Sequence, residues 1–147
     1  MQDDYEVQPP RSEQEFARYY ELRWMVLRAP WGEPPGSERD DMDDVADHAV
    51  IFNGAGQALA AGRLHFNAPE EAQIRYMAVA DAVRGQGLGR RIIMYLERIA
   101  RTKGARTVVL NAREEAAGFY RTMGYQRVGP GPTMFGTVAH VRMRKPL

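Results

Sequence analysis

The sequence contains no cysteine, which removes disulfide frameworks, thiolate metal sites and cysteine nucleophiles together. Histidine is nearly as scarce: His48, His65 and His140 lie scattered without ligand spacing, so no metal site is expected. An excess of one charge is missing too. Twenty basic residues meet nineteen acidic ones for a net +1, far from the basic surplus of a nucleic-acid binder. No apolar run approaches the ~18 residues of a membrane span, and the opening M-Q-D-D-Y-E has neither the basic nor the apolar region of a secretory signal. What is present is ordinary: 147 residues, 44% hydrophobic and 27% charged. A compact chain of that size buries ~68–70% of its unfolded surface, enough for a core without staples. The expectation is a single cytoplasmic domain over residues 1–147 that engages neither nucleic acid nor membrane.

Ser12 opens S-E-Q-E, a capping box with Glu15 at the third helical position. Phe16, Tyr19, Tyr20, Val26 and Leu27 then recur at mostly helical spacing until Pro30, which predicts an amphipathic helix over 13–28. Residues 29–47 hold three prolines, two glycines and seven carboxylates, the composition of a long surface loop. A-V-I-F (49–52), N-G-A-G and A-L-A-A-G-R-L-H-F (58–66) read as a hairpin. After a turn around Pro69, Q-I-R-Y-M-A-V (73–79) is a further strand. A helix follows with Ile92, Ile93, Leu96, Ile99 and Ala100 on one face and Gly104 past its end. T-V-V-L-N (107–111) is strand-like, 114–124 helix-like, and two short strands near 125–128 and 137–144 flank G-P-G-P. This order predicts an α/β fold, an α+β mixed sheet with helices on its faces.

The chemistry concentrates in M-A-V-A-D-A-V-R-G-Q-G-L-G-R-R, a strand, a glycine loop and a helix start. Gly85, Gly87 and Gly89 let a ligand approach the backbone, and a helix N-terminus offers unpaired N–H groups and a positive dipole end. Arg84, Arg90 and Arg91 crowd that same end, where cations oppose the dipole unless a polyanion such as a diphosphate sits between them. On glycine spacing alone, a plain turn with solvated arginines serves equally. A dinucleotide fingerprint would need glycine where Arg90 stands, and a P-loop lysine would need to precede the helix, whereas Lys103 follows it.

R-G-Q-G-L-G resembles the R/Q-x-x-G-x-G/A signature of the GNAT acetyltransferase superfamily. Further on, A-A-G-F-Y-R-T-M-G-Y resembles the second signature of that family, A-x-x-F-Y-x-x-x-G-F/Y. The two together span residues 73–125 in the family's order. The resemblance implies an acyl-CoA N-acyltransferase fold with a splayed mixed sheet, acetyl-CoA as cosubstrate, no metal, and a small-molecule or protein amine as acceptor. Homodimers through exposed strands or helices are common in that family. It also implies that the N–H groups of Arg84, Gly85, Gln86, Gly87, Leu88 and Gly89 hold the pyrophosphate, with Arg90 beside them. Main-chain groups of Met77 and Val79 would pair with the pantetheine arm, with Phe119 near the cofactor. Arg113 replaces the usual asparagine of the second signature, and Asn111 is the substitute expected to meet the arm.

Acetyl transfer to an amine needs a neutral nucleophile, an oxyanion donor and a proton for the leaving thiolate. The donor would be a strand N–H near Met77 or Ala78. Tyr120 corresponds to the family's general acid; its other role is packing, on the stripe Ala116, Phe119, Tyr120 and Met123. A base must deprotonate an amine whose pKa is ~10.4; Glu71, His65 and water are the candidates. The acids of 33–47 either recruit a cationic acceptor or form solvated surface, with Trp24 and Trp31 lining the acceptor side. The alternative to an enzyme is a non-catalytic acyl-CoA-binding sensor.

Overall fold

The computed structural model describes residues 5–147. One seven-stranded sheet organises them, in the order β1-β2-β3-β4-β5-β7-β6. The strands are β1 (Val7–Gln8), β2 (Asp47–Phe52), β3 (Ala58–Ala68), β4 (Glu71–Val79), β5 (Thr107–Arg113), β6 (Gln126–Met134) and β7 (Val138–Pro146). Three α-helices accompany them: α1 (Glu13–Leu27), α2 (Leu88–Thr102) and α3 (Ala117–Thr122). Ser12 caps α1 by accepting from the Glu15 N–H at 3.1 Å. The Glu15 carboxylate does not close the box; it accepts from the Arg11 N–H instead.

Neighbouring residues of the central strands belong to different cores, as the two-residue period of a strand requires. Ala49, Ile51, Ala60 and Leu64 pack with Ile92, Ile93 and Leu96 of α2 and with Tyr120 and Met123. Val50, Ala61 and Ala78 pack instead with Tyr19 and Leu22 of α1. So α1 covers one face of the sheet, and α2 and α3 cover the other. Gly62 permits the close approach of α2, because a Cβ there would lie 2.6 Å from both Ile92 and Met77.

All β pairing is antiparallel except one junction. β4 and β5 run parallel and pair only through Glu71↔Thr107, Ala72↔Val108 and Gln73↔Val109. Beyond those rungs the two strands diverge, leaving Ile74 to Val79 and Leu110 to Arg113 with unpaired edges toward each other. A bulge lies on β4 just inside this gap: Ala61 faces Ala78 but Arg63 faces Arg75, so β4 carries an extra residue. Tyr76 absorbs it with φ of +57°, a left-handed conformation that costs a large residue energy and is tolerated where packing over-determines it.

Three expectations need correction. G-P-G-P does not separate two strands; β6 runs straight through residues 129–132. It can do so because it is an edge strand with register shifts around those prolines, where no ladder N–H is required of them. The segment 114–124 is a 3₁₀ turn (Glu114–Ala116) followed by the short α3, without one continuous helix. β1 was not expected at all, since two residues carry no periodicity.

Candidate active site

The gap between β4 and β5 is the place to build from. An extended chain bearing amides could lie there and pair with either unpaired edge, as an added strand would. Met77, Ala78 and Val79 lie on the β4 side and Asn111 on the β5 side. Asn111 Oδ1 is buried without a hydrogen-bond partner. An orphaned acceptor of that kind calls for a donor from outside the protein.

At the end of β4 the chain turns through a 3₁₀ turn (Asp81–Val83) into the glycine loop. Gly85 has φ of +79°, and Gly87 caps α2 at φ +80°, ψ 11° with no side-chain bond to the helix. The N–H groups of Gly85, Gln86 and Gly87 have no hydrogen-bond partner among the described residues, and those of Leu88, Gly89 and Arg90 head a helix that cannot satisfy them internally. Six consecutive residues at the head of α2 thus carry free donors, and such a helix N-terminus favours an anion. The arginines around it differ. Arg84 ion-pairs with Asp81 at 3.0 Å, Arg91 donates to the Tyr5 carbonyl, and Arg90 stays exposed with no carboxylate partner among the described residues. Gly89 brings the parts together, because a Cβ there would sit 3.4 Å from Val79 and 3.7 Å from Phe119. End of β4, start of α2 and α3 thus meet at this glycine.

Tyr120 lies next in line. Its ring is 5.1 Å from Phe119 and 6.0 Å from Tyr125, edge-on to both. The expected stripe holds for Tyr120 and Met123, but Phe119 is 39% exposed and Ala117 takes its place inside. Burial pushes the Tyr120 phenol up to about 12, partly offset by the nearby Arg113 guanidinium. It is thus a protonated hydroxyl at neutral pH, with no hydrogen-bond acceptor among the described residues.

The two base candidates stand elsewhere. Glu71 is on the paired part of β4, opposite Thr107, and accepts from Asn67 at 3.1 Å. His65 is one strand away on β3, with Nδ1 3.2 Å from an Arg63 guanidinium nitrogen. Burial lowers its pKa, and the Arg63 charge lowers it further.

The α1 side of the gap holds a network that the sequence did not reveal. Arg23 and Arg63 are both 0% exposed. Arg23 pairs with Asp43 at 2.9 Å, Arg63 with Asp40 at 2.5 Å and Asp43 at 3.1 Å, and Arg75 with Asp40 at 3.0 Å. Burial alone would raise both carboxyls; the bonds from Arg63 to Asp40 and from Arg23 to Asp43 outweigh it and hold them low. Glu38 is buried as well, accepting from the Gly36 N–H at 2.7 Å. The acid-rich loop is therefore bolted to the sheet by arginines at Asp40 and Asp43, while Asp47 pairs with Lys103, Glu33 is half-buried, and Asp41 and Asp44 are exposed. Four guanidiniums surround the Tyr76 ring: Arg23 at 3.8 Å, Arg75 at 4.6 Å, Arg63 at 4.8 Å and Arg28 at 5.4 Å. Trp31 stacks on Phe135 of the β6–β7 turn at 5.6 Å, while Trp24 donates to the Glu33 carbonyl at 2.9 Å. A sequence signal for this network existed: arginine within otherwise apolar runs, L-R-W-M-V-L-R and A-A-G-R-L-H, beside a loop with seven carboxylates.

The acetyltransferase (GNAT) family model matches residues 16–125. The uncharacterised N-acetyltransferase YjcF of Bacillus subtilis is 24% identical over 135 residues, 92% of this chain and 95% of that protein. A candidate N-acetyltransferase of Lactobacillus plantarum superposes with a TM-score of 0.85 at 24% identity, over 99% of both chains. A GNAT family acetyltransferase of Elizabethkingia anophelis, solved with acetyl-CoA bound, superposes with a TM-score of 0.79 at 15% identity, over 99% of this chain and 100% of that one. At such identities the two structures speak for the fold. Among the described residues no helix is long and apolar enough to cross a membrane.

Proposed function

Because this chain belongs to the GNAT acetyltransferase family, we propose that it moves an acetyl group from acetyl-CoA directly to an amine, with Tyr120 returning a proton to the departing thiol. The observation that carries the reading is the diverging β4–β5 pair beside a cradle of six N–H donors. The N–H groups of Gly85 to Arg90 receive the pyrophosphate; that of Arg84, expected among them, is instead bonded to the Asp81 carbonyl at 3.4 Å. Met77, Val79 and Asn111 receive the amides of the pantetheine arm. Phe119 closes the cradle over Gly89. The protein then has one chemical task, to hold a thioester carbonyl near a neutral amine.

The amine nitrogen attacks the carbonyl carbon, forming the C–N bond, and a main-chain N–H at Met77 or Ala78 takes the developing oxyanion. The C–S bond breaks and the thiolate accepts the Tyr120 proton. A phenol pushed up to about 12 is a weak acid, but the burial that raises it also raises the thiol forming beside it, so donor and acceptor stay matched. The amine gives its surplus proton to water, and Tyr120 is reprotonated from solvent. Glu71 and His65 act as acceptors through that water, since neither bonds to Tyr120 or the glycine loop.

Tyr120→Phe tests this. The variant keeps the ring and its packing but loses the proton donor, so the single-turnover rate should fall ~100-fold or more, the usual range for a general acid. Acetyl-CoA affinity should hold. A wild-type single-turnover rate would remove Tyr120 from the mechanism.

A further inference from the structure

We infer that the acceptor carries an anionic group, a carboxylate or a phosphate, besides its amine, and that Arg28 and Arg113 receive it. The inference rests on the acetyl-transfer reading above and names the acceptor class for the same site. Its basis is a run of alternating guanidiniums and rings at the mouth of the β4–β5 gap. Arg75 and Arg28 lie 4.6 and 5.4 Å from the Tyr76 ring, and Arg28 lies 5.4 Å from Phe135. Phe135 stacks on Trp31, and Arg113 lies 4.5 Å from the Trp31 ring. The two ends of the run, Arg75 and Arg113, stand on the two strands that diverge, each beyond the last shared rung at Gln73↔Val109.

The charges of this run do not cancel. Arg23, Arg63 and Arg75 share two carboxylates, Asp40 and Asp43. Arg28 adds a fourth cation around Tyr76, is only 7% exposed, and has no carboxylate within ion-pair distance among the described residues. Its Nε and Nη1 reach the Ser37 and Leu27 carbonyls, which satisfy donors without neutralising charge. Arg113 has no carboxylate partner among the described residues either. Buried charges are normally paired, so an excess of guanidinium at the open end of an acyl-transfer gap is a place prepared for an anion. Guanidiniums bind carboxylate and phosphate bidentately, and flanking rings hold them flat for it. A diamine, by contrast, would bring a second cation into a positive site, because Asp40 and Asp43, the loop carboxylates of this network, are already held by arginines. The diphosphate cradle does not compete, since it lies where α2 begins, on the face opposite α1.

The test pairs amines that differ by one anionic group: tyrosine with tyramine, lysine with cadaverine, phosphoethanolamine with ethanolamine. Each is titrated calorimetrically into the CoA-saturated protein and assayed for thiol release from acetyl-CoA. The anionic member of at least one pair should bind about tenfold tighter or more, the contrast a single charge-assisted bond supports, and should show the higher kcat/KM. The first two pairs report a carboxylate and the third a phosphate. Arg113→Gln should erase the contrast, and Arg28→Gln should do the same if it folds; Arg113 is partly exposed, so its variant keeps the test usable. Equal binding within every pair, or preference for the members without the anionic group in binding or turnover, overturns the inference and leaves acetyl transfer standing. Preferential binding of the anionic members, lost in Arg113→Gln, with no thiol released from any amine supports the anion site and overturns the transfer reading instead.

Discussion

Under α2 and α3 the sheet is packed with hydrocarbon, whereas under α1 it is packed with ions. The first face joins Ile92, Ile93 and Leu96 to Leu64, Val108 and Met143, all fully buried, and its buried acid, Glu97, is matched by Tyr125 at 2.8 Å and Lys145 at 3.0 Å. The second face buries Arg23, Arg28, Arg63, Glu38 and His48 among tyrosines. Hydrocarbon packing asks only for volume and shape and tolerates exchange. An ion network asks for every partner, because a lone buried charge costs far more than a lost contact. The contrast parallels the division of labour in the function proposed above. There the cofactor is held by main-chain N–H groups, strand edges and a few glycines, which many sequences can supply, and the acceptor by specific side chains whose charges must balance one another and the ligand.

That division can be broken most severely at the glycine loop. Gly87→Glu puts a carboxylate against the diphosphate and a side chain at φ +80°, and acetyl-CoA affinity should fall ~100-fold or more, equivalent to ~2.7 kcal/mol. Gly56→Glu is the matched control, since Gly56 has the same φ of +80° in the β2–β3 turn with nothing near its Cβ. Both variants carry left-handed strain of ~1–2 kcal/mol, yet calorimetry should show affinity lost only at Gly87. Equal affinities would move the cofactor away from the loop.

The second contrast is in stability. Leu96→Ala opens a cavity in the hydrocarbon face and should cost ~2–5 kcal/mol in urea denaturation. Arg63→Met removes a fully buried cation that bonds Asp40 and Asp43, and should cost ~3–5 kcal/mol, mostly for the carboxylates left behind. The signatures differ when combined. Adding Asp40→Asn to Arg63→Met should cost less than the sum of the two alone, because partners of one network are coupled. Strict additivity would mean that the α1 face is not held together by its ions.

The sequence was most readable where the chain acts locally. Caps, glycine stops and apolar stripes located α1, α2, β3, β4 and β5 to within a few residues, and the two signature segments pointed to the family whose model matches residues 16–125. It was least readable where distant segments meet. The bulge at Tyr76 exists only because β3 and β4 pair across it. Loop carboxylates at Asp40 and Asp43 looked solvated because Arg63, 20 residues or more away, cannot be matched to them by spacing. β6 kept its strand through G-P-G-P because its outer edge needs no partner, a property of position in the sheet and not of composition.

The smallest effect expected is in the response to pH, where His48 and Tyr120 should act at opposite ends. His48 lies under α1, bonded to the Tyr19 hydroxyl and the Asp43 carbonyl, both at 2.8 Å. Burial lowers its pKa most and prevails over the opposing pull of the Asp43 carbonyl and carboxylate, with smaller help from Arg23 and Arg63. The folded protein therefore keeps His48 neutral where the unfolded chain, at pKa ~6.5, takes a proton. Its contribution is complete above that pH and drains away as pH falls through it, at no more than ~1.4 kcal/mol per pH unit. Tyr120, on the other face, is shifted the opposite way. The unfolded phenol ionises near pH ~10 while the folded one waits until about 12, so its contribution is complete below the first value and is lost as pH rises toward the second. Urea denaturation at pH 7, 6 and 5 should show His48→Asn less stable than the native protein at pH 7 but losing less on acidification. Between pH 9.5 and 11, Tyr120→Phe should lose less than the native protein, although Tyr19 and Tyr125, also raised by burial, keep part of that limb in both. An acid limb as steep in His48→Asn as in the native protein would mean that the histidine is protonated in the folded state, and the α1 face would then hold one more cation than its carboxylates already fail to balance.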